Sequence, residues 1–174
     1  MTQLEFLREQ LLACTERARA LPRNPDWSRS PAPGVWSPAE CVAHLTQSTG
    51  VMLPPLEEAA RRAGPASTPY QHTWSERLFL WYIEPPYRLK VKTRGGFVPE
   101  PAPPGDVLPA FEARQQRLDQ FLQSVAGKAL DKVKIHSPFN ARFTYSAWTG
   151  LVLILAHQRR HLWQAEQILA RLRV

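Results

Sequence analysis

The run from Tyr145 to Leu172 constrains the fold more than any other stretch. Ile154, His157, His161, Ala165, Ile168 and Leu172 recur at three- and four-residue spacing, which is one face of an α-helix. A helix of this length with a single apolar stripe must bury that stripe against other elements. Two members of the stripe are histidines. Positions four apart lie one above the other, so the rings of His157 and His161 point the same way. An imidazole buried without partners costs free energy. Its residues leave two explanations open, a metal ion or a hydrogen-bonded core.

The partners for that stripe are more helices. Residues 3–21 carry Leu4, Leu7, Leu11, Leu12, Ala18 and Leu21 on one face, and Pro22 ends the run. Trp36-Ser37-Pro38-Ala39-Glu40 is the strongest helix start: Ser37 as N-cap, Pro38 at the first turn, Glu40 closing a capping box. This second helix runs to Met52 or beyond. Pro54-Pro55 breaks or restarts it, with a continuation through Leu56–Arg62 ending near Gly64. A third long helix spans 106–125, with Gly127 as its C-terminal cap. Residues 128–143 read as a loop. Between the second and third long helices lie about forty residues, too many for a plain turn. Thr73-Trp74-Ser75-Glu76 starts a short helix, Trp74–Glu84, within them. Leu89–Lys92 alternates like a strand and is expected as extended coil.

Four long amphipathic helices define an all-α four-helix bundle, expected as a single domain over residues 1–174. The long crossover between helices 2 and 3 can carry the chain back along the bundle, which favours an up-down-down-up order. That order makes the second helix antiparallel to the last. His44 then stands about 10 Å from the start of its helix, near the level of His157 and His161, whose helix ends about 17 Å beyond His161.

Composition narrows the function classes. The net charge of +7 could serve an anionic partner, but Lys and Arg are scattered, with no run of five cations. The expectation is no nucleic acid. Cys14 and Cys41 form no C-x-x-C pair and are expected as buried, reduced thiols. The N-terminal residues show no basic stretch followed by an apolar one, and Leu151–Ala156 is far short of a membrane span. A cytoplasmic protein without a membrane partner is expected.

The block Trp36-Ser37-x-x-Glu40-x-x-x-His44-Leu45, followed near the end by His157-x-x-x-His161-x-x-Gln164, resembles the DinB-like metal-binding superfamily. That family includes thiol-dependent transferases acting with bacillithiol or mycothiol. The resemblance implies an up-down-down-up bundle, frequent homodimers, and a divalent metal held by three histidines. These map onto His44, His157 and His161. Three neutral imidazoles suit Zn²⁺, Ni²⁺ or Fe²⁺ and leave open positions, the pattern of a catalytic site. A metal-bound thiolate or hydroxide there would serve a thiol S-transferase or a hydrolase acting on a small molecule, with a low-molecular-weight thiol as candidate partner. The alternative is a non-catalytic bundle that binds a small molecule or a protein.

Other groups are expected to play lesser parts. Glu40 has its capping role, with support of a ligand as the other role open to it. Ser48 belongs to the core edge. Arg159 and Arg160 are expected on a solvated face, and His72 and His136 as surface loop residues. Trp36 and Trp163 are candidates to wall a pocket beside the histidines.

Overall fold

The computed structural model describes residues 1–66, 69–86, 98–99 and 104–172. Its helices are α1 (Gln3–Ala20), α2 (Pro38–Arg62), α3 (Trp74–Ile83), α4 (Pro104–Ser124) and α5 (Ala147–Leu172). Between α4 and α5 lies a hairpin of β1 (Lys134–Ser137) and β2 (Asn140–Ser146). The expected strand-like stretch Leu89–Lys92 lies outside the described residues.

Side-chain pairs fix the helix directions. Arg8 meets Asp119 and Arg19 meets Glu112, so α1 and α4 are antiparallel. Gln10 meets Arg159 and Arg17 meets Glu166, so α1 and α5 are parallel. The chain after α2 pairs with the chain after α4, with Ala66 N–H donating to the Gly127 carbonyl at 2.7 Å and Ala129 N–H to that of Gly64 at 2.8 Å. Helices α2 and α4 therefore finish at the same end. Gly150, early in α5, sits against Leu56, late in α2, so those two helices are antiparallel. The order is up-down-down-up.

The starts of the helices follow local chemistry. Ser37 and Glu40 satisfy each other's backbone N–H groups as a capping box, with Pro38 in the first turn. Pro54 and Pro55 do not break α2, which runs through to Arg62. Met52, Leu53 and Leu56 flank the two prolines and are buried, and each contributes about 1.5–3 kcal/mol of burial, enough to outweigh the missing backbone bonds. Gly127 has φ +75°, the left-handed conformation expected of a C-terminal cap.

Residues 128–143 are not a plain loop. Ile135 pairs with Tyr145 and Lys134 with Ser146 in an antiparallel ladder, and the register shifts between His136 and Ser137. Only Ile135 and Ser137 are buried in β1, and only Tyr145 and Ser146 in β2. Such short, half-buried strands leave almost no alternating pattern to read.

The core has two apolar halves with a polar layer between them. One half gathers Leu7, Leu11, Met52, Leu56, Leu118, Leu122, Leu151 and Ile154. The other gathers Cys14, Ala18, Val42, Leu45, Phe111, Leu162, Ala165 and Ile168. Between Leu11 and Ala18, Leu45 and Met52, Phe111 and Leu118, and Leu155 and Leu162, each of the four long helices places buried polar groups. Thr15, Ser48, Gln115 and Gln158 are among them. Gln115 and Gln158 exchange reciprocal amide hydrogen bonds at 2.7 and 3.1 Å, and Gln115 also donates to Thr15 Oγ1 at 3.1 Å. His157 belongs to this layer and His44 and His161 border it.

Candidate metal centre

The capping box at Ser37 sets where α2 begins, and so sets the height of His44. The reverse direction of α5 brings His157 and His161 to meet it. One ligand nitrogen from each ring can be chosen so that all three lie within 4.8 Å of one another. His44 Nε2 lies 3.3 Å from His157 Nε2. Two nitrogens bound tetrahedrally to one zinc ion at 2.0–2.1 Å stand about 3.3 Å apart. The spacing and the all-imidazole donor set therefore fit a borderline divalent ion.

Each α5 histidine has a partner at its far nitrogen. His161 Nδ1–H donates to Gln164 Oε1 at 2.9 Å. The Ser48 hydroxyl donates to the Leu45 carbonyl at 3.2 Å, which leaves Ser48 Oγ to accept from His157 Nδ1–H in a long contact of 3.5 Å. A proton on Nδ1 leaves Nε2 as the electron-pair donor, and that is how outer partners orient metal-binding imidazoles.

Electrostatics keep the two α5 rings neutral. Burial, then the neighbouring His44 and Arg160, lower His157 to about 3. Burial, with His157, His44 and Arg160, holds His161 well below its ordinary value against the opposing bond to Gln164. A metal needs deprotonated imidazole, so the site holds these ligands in their binding form at neutral pH.

Aromatic rings wall the cluster on two sides. Trp36 lies 5.0 Å from His44 and 5.9 Å from His161, centroid to centroid. Phe139, at the tip of the hairpin, lies 6.0 Å from His157. Phe139 is not among the sequence candidates, because residues 128–143 read as loop. Glu40 is engaged by Ser37, whose N–H and O–H donate to Oε2 at 2.7 and 2.8 Å. Cys14 and Cys41 are free and buried. Burial raises Cys14 to about 11 and Cys41 further, so neither offers a thiolate.

Two expectations are corrected. Arg159 and Arg160 are not a solvated face: Arg159 pairs with Glu84 just after α3, and buried Arg160 donates to the Ile83 carbonyl at 3.3 Å. They anchor the crossover helix to α5 instead. His72 is no idle surface residue either. Its Nε2 accepts from Trp148 Nε1–H at 3.2 Å, so the neutral ring carries its proton on Nδ1 and donates to Thr149 Oγ1 at 2.8 Å. His136 Nδ1–H donates within the hairpin to the Ala141 carbonyl at 3.1 Å.

An antiparallel helix pair that brings three histidines together, two of them braced at their far nitrogens, defines a helical bundle with a candidate metal centre. The family model of the DinB superfamily matches residues 3–165, and the chain belongs to that superfamily. No curated protein and no solved structure matches the chain.

Proposed function

We propose that the protein is a metal-dependent thiol S-transferase, with one divalent ion held by His44, His157 and His161. The observation that carries this reading is the convergence of three imidazoles with no fourth side-chain ligand grouped with them among the described residues. Three protein ligands leave a position open to a small molecule. A bound Zn²⁺, Ni²⁺ or Fe²⁺ would supply Lewis acidity that lowers the pKa of a thiol or water in that position.

The surrounding side chains favour a thiol over a water. Hydrolysis gains from a carboxylate free to move a proton. Glu40, one turn before His44, is committed to the Ser37 cap instead. A thiol gives up its proton more readily than water and needs less help. Trp36 and Phe139 give the open side an apolar wall, suited to the carbon skeleton of an electrophile and to exclusion of bulk water. Gln164 and Ser48 orient the ligand rings.

Elemental analysis of protein never exposed to chelator, beside His157→Ala, tests the site. Stoichiometric metal in the wild type and its loss in the variant are expected. A wild type without metal sinks the reading. A panel of low-molecular-weight thiols with a chromogenic electrophile then tests the reaction, and metal-dependent hydrolysis without thiol consumption would transfer the site to the hydrolases.

A further inference from the structure

Solvent reaches the three histidines unevenly. His44 and His161 are 3% and 9% exposed, while His157 is only partly buried. Trp36 stands against the first two rings and Phe139 against the third. The approach to the cluster from solvent therefore runs past His157, and the aromatic ring beside His157 there is that of Phe139.

The hairpin, not a helix, puts Phe139 in this place. The residue sits in the turn between β1 and β2, where Ser137 is paired with Asn140 and Pro138 fixes one backbone angle. His136 Nδ1–H closes that turn on the Ala141 carbonyl. At the other end of the hairpin, Ser146 N–H and Lys134 Nζ both meet Glu76 of α3, and Tyr145 stacks on Phe79 of the same helix. Ile135 is buried in the core. Phe139 also packs on the first apolar half, a contact that any apolar residue could supply. Its ring, 6.0 Å from His157 and tilted by 41°, does more than fill that contact. A braced apolar wall beside an open ligand position offers no hydrogen bond and so separates ligands by bulk. One methylene more or less in such a pocket is worth about 10–200-fold.

We infer that Phe139 is the specificity-determining residue of the centre: it admits thiols whose sulfur is carried on an unbranched carbon and rejects those branched there. The identity of the ligand as a thiol rests on the reading proposed above; the limit on its bulk rests on Phe139 and the hairpin.

The test loads the full-length protein with Co²⁺ and titrates it with N-acetylcysteine and with N-acetylpenicillamine, which adds a pair of methyl groups on the carbon bearing sulfur. Thiolate-to-cobalt charge-transfer absorption reads each dissociation constant. The wild type is expected to favour N-acetylcysteine about tenfold more strongly than Phe139→Ala does, with equal Co²⁺ content in both proteins. Phe139→Leu, which keeps an apolar residue on the core, is expected to fall between them, and it decides the matter if the alanine variant does not fold. Acetate and pivalate, followed in the cobalt d–d bands, separate this inference from the thiol reading. If the carboxylates bind and the thiols give no charge-transfer band, the thiol reading fails and the acetate-to-pivalate ratio decides on Phe139. Three results overturn the inference: a ratio that is the same in wild type and variants; a Phe139→Leu protein that loses its Co²⁺, which makes the ring a structural support of the site; or a wild type that holds no Co²⁺ or whose Co²⁺ none of these ligands reaches.

Discussion

At the scale of residues, the candidate centre depends on small groups behind the ligands. Gln164 accepts from His161 Nδ1–H at 2.9 Å and holds that proton in place. Gln164→Ala is expected to weaken metal affinity about 10–100-fold while the fold stays intact, since loss of an outer partner has that effect. Competition against a chromophoric chelator measures it, and unchanged affinity would remove Gln164 from the site. The motif His157-x-x-x-His161-x-x-Gln164 already places this amide one turn past the second histidine. Ser48 and Phe139 are a different matter. Ser48 on its helix looks like any small core-edge residue, and Phe139 reaches His157 only through the hairpin.

At the scale of elements, Glu76 joins three pieces of the chain. It closes the capping box of α3, accepts Ser146 N–H at 2.7 Å at the end of β2, and meets Lys134 of β1 at 3.3 Å. Burial alone would raise its pKa, but the hydrogen bonds from Ser146 and Thr73 outweigh that and hold it at about 2. The folded pKa lies below the ordinary 4.5, so the unfolded chain binds more protons between those values. The resulting stability is present above pH 4.5 and is lost as pH falls toward 2. Glu76→Ala is expected to cost about 2–4 kcal/mol at neutral pH, from the lost cap and an orphaned buried N–H. Urea melts across that pH range should show a shallower acid decline in the variant. An equal decline in both proteins would contradict the assignment. The cap was legible as Thr73-Trp74-Ser75-Glu76, but a second duty toward a hairpin some seventy residues away leaves no local trace.

At the scale of the whole molecule, a polar layer divides the core, and the histidines lie in and beside it. The Gln115–Gln158 pair pins the relative height of α4 and α5 there, because each amide answers the other. Gln115→Leu or Gln158→Leu alone is expected to cost about 1–3 kcal/mol, since the remaining amide loses its buried partner. The double Leu variant is expected to cost less than the sum, and a double-mutant cycle by chemical denaturation reads the difference. Strict additivity would mean that the pair is not coupled. The sequence by itself determined the four long helices, the capping box at Ser37 and the up-down-down-up order, because periodicity, capping chemistry and connection length are local quantities. It also determined the three histidines, through ring spacing on one helix and a motif on another. Only the tertiary structure decided the rest. The hairpin, the division of the core and the burial of Arg160 all depend on contacts between residues distant in sequence. Whether a glutamine, a tryptophan or an arginine is buried is set by what packs over it, and no local pattern records that.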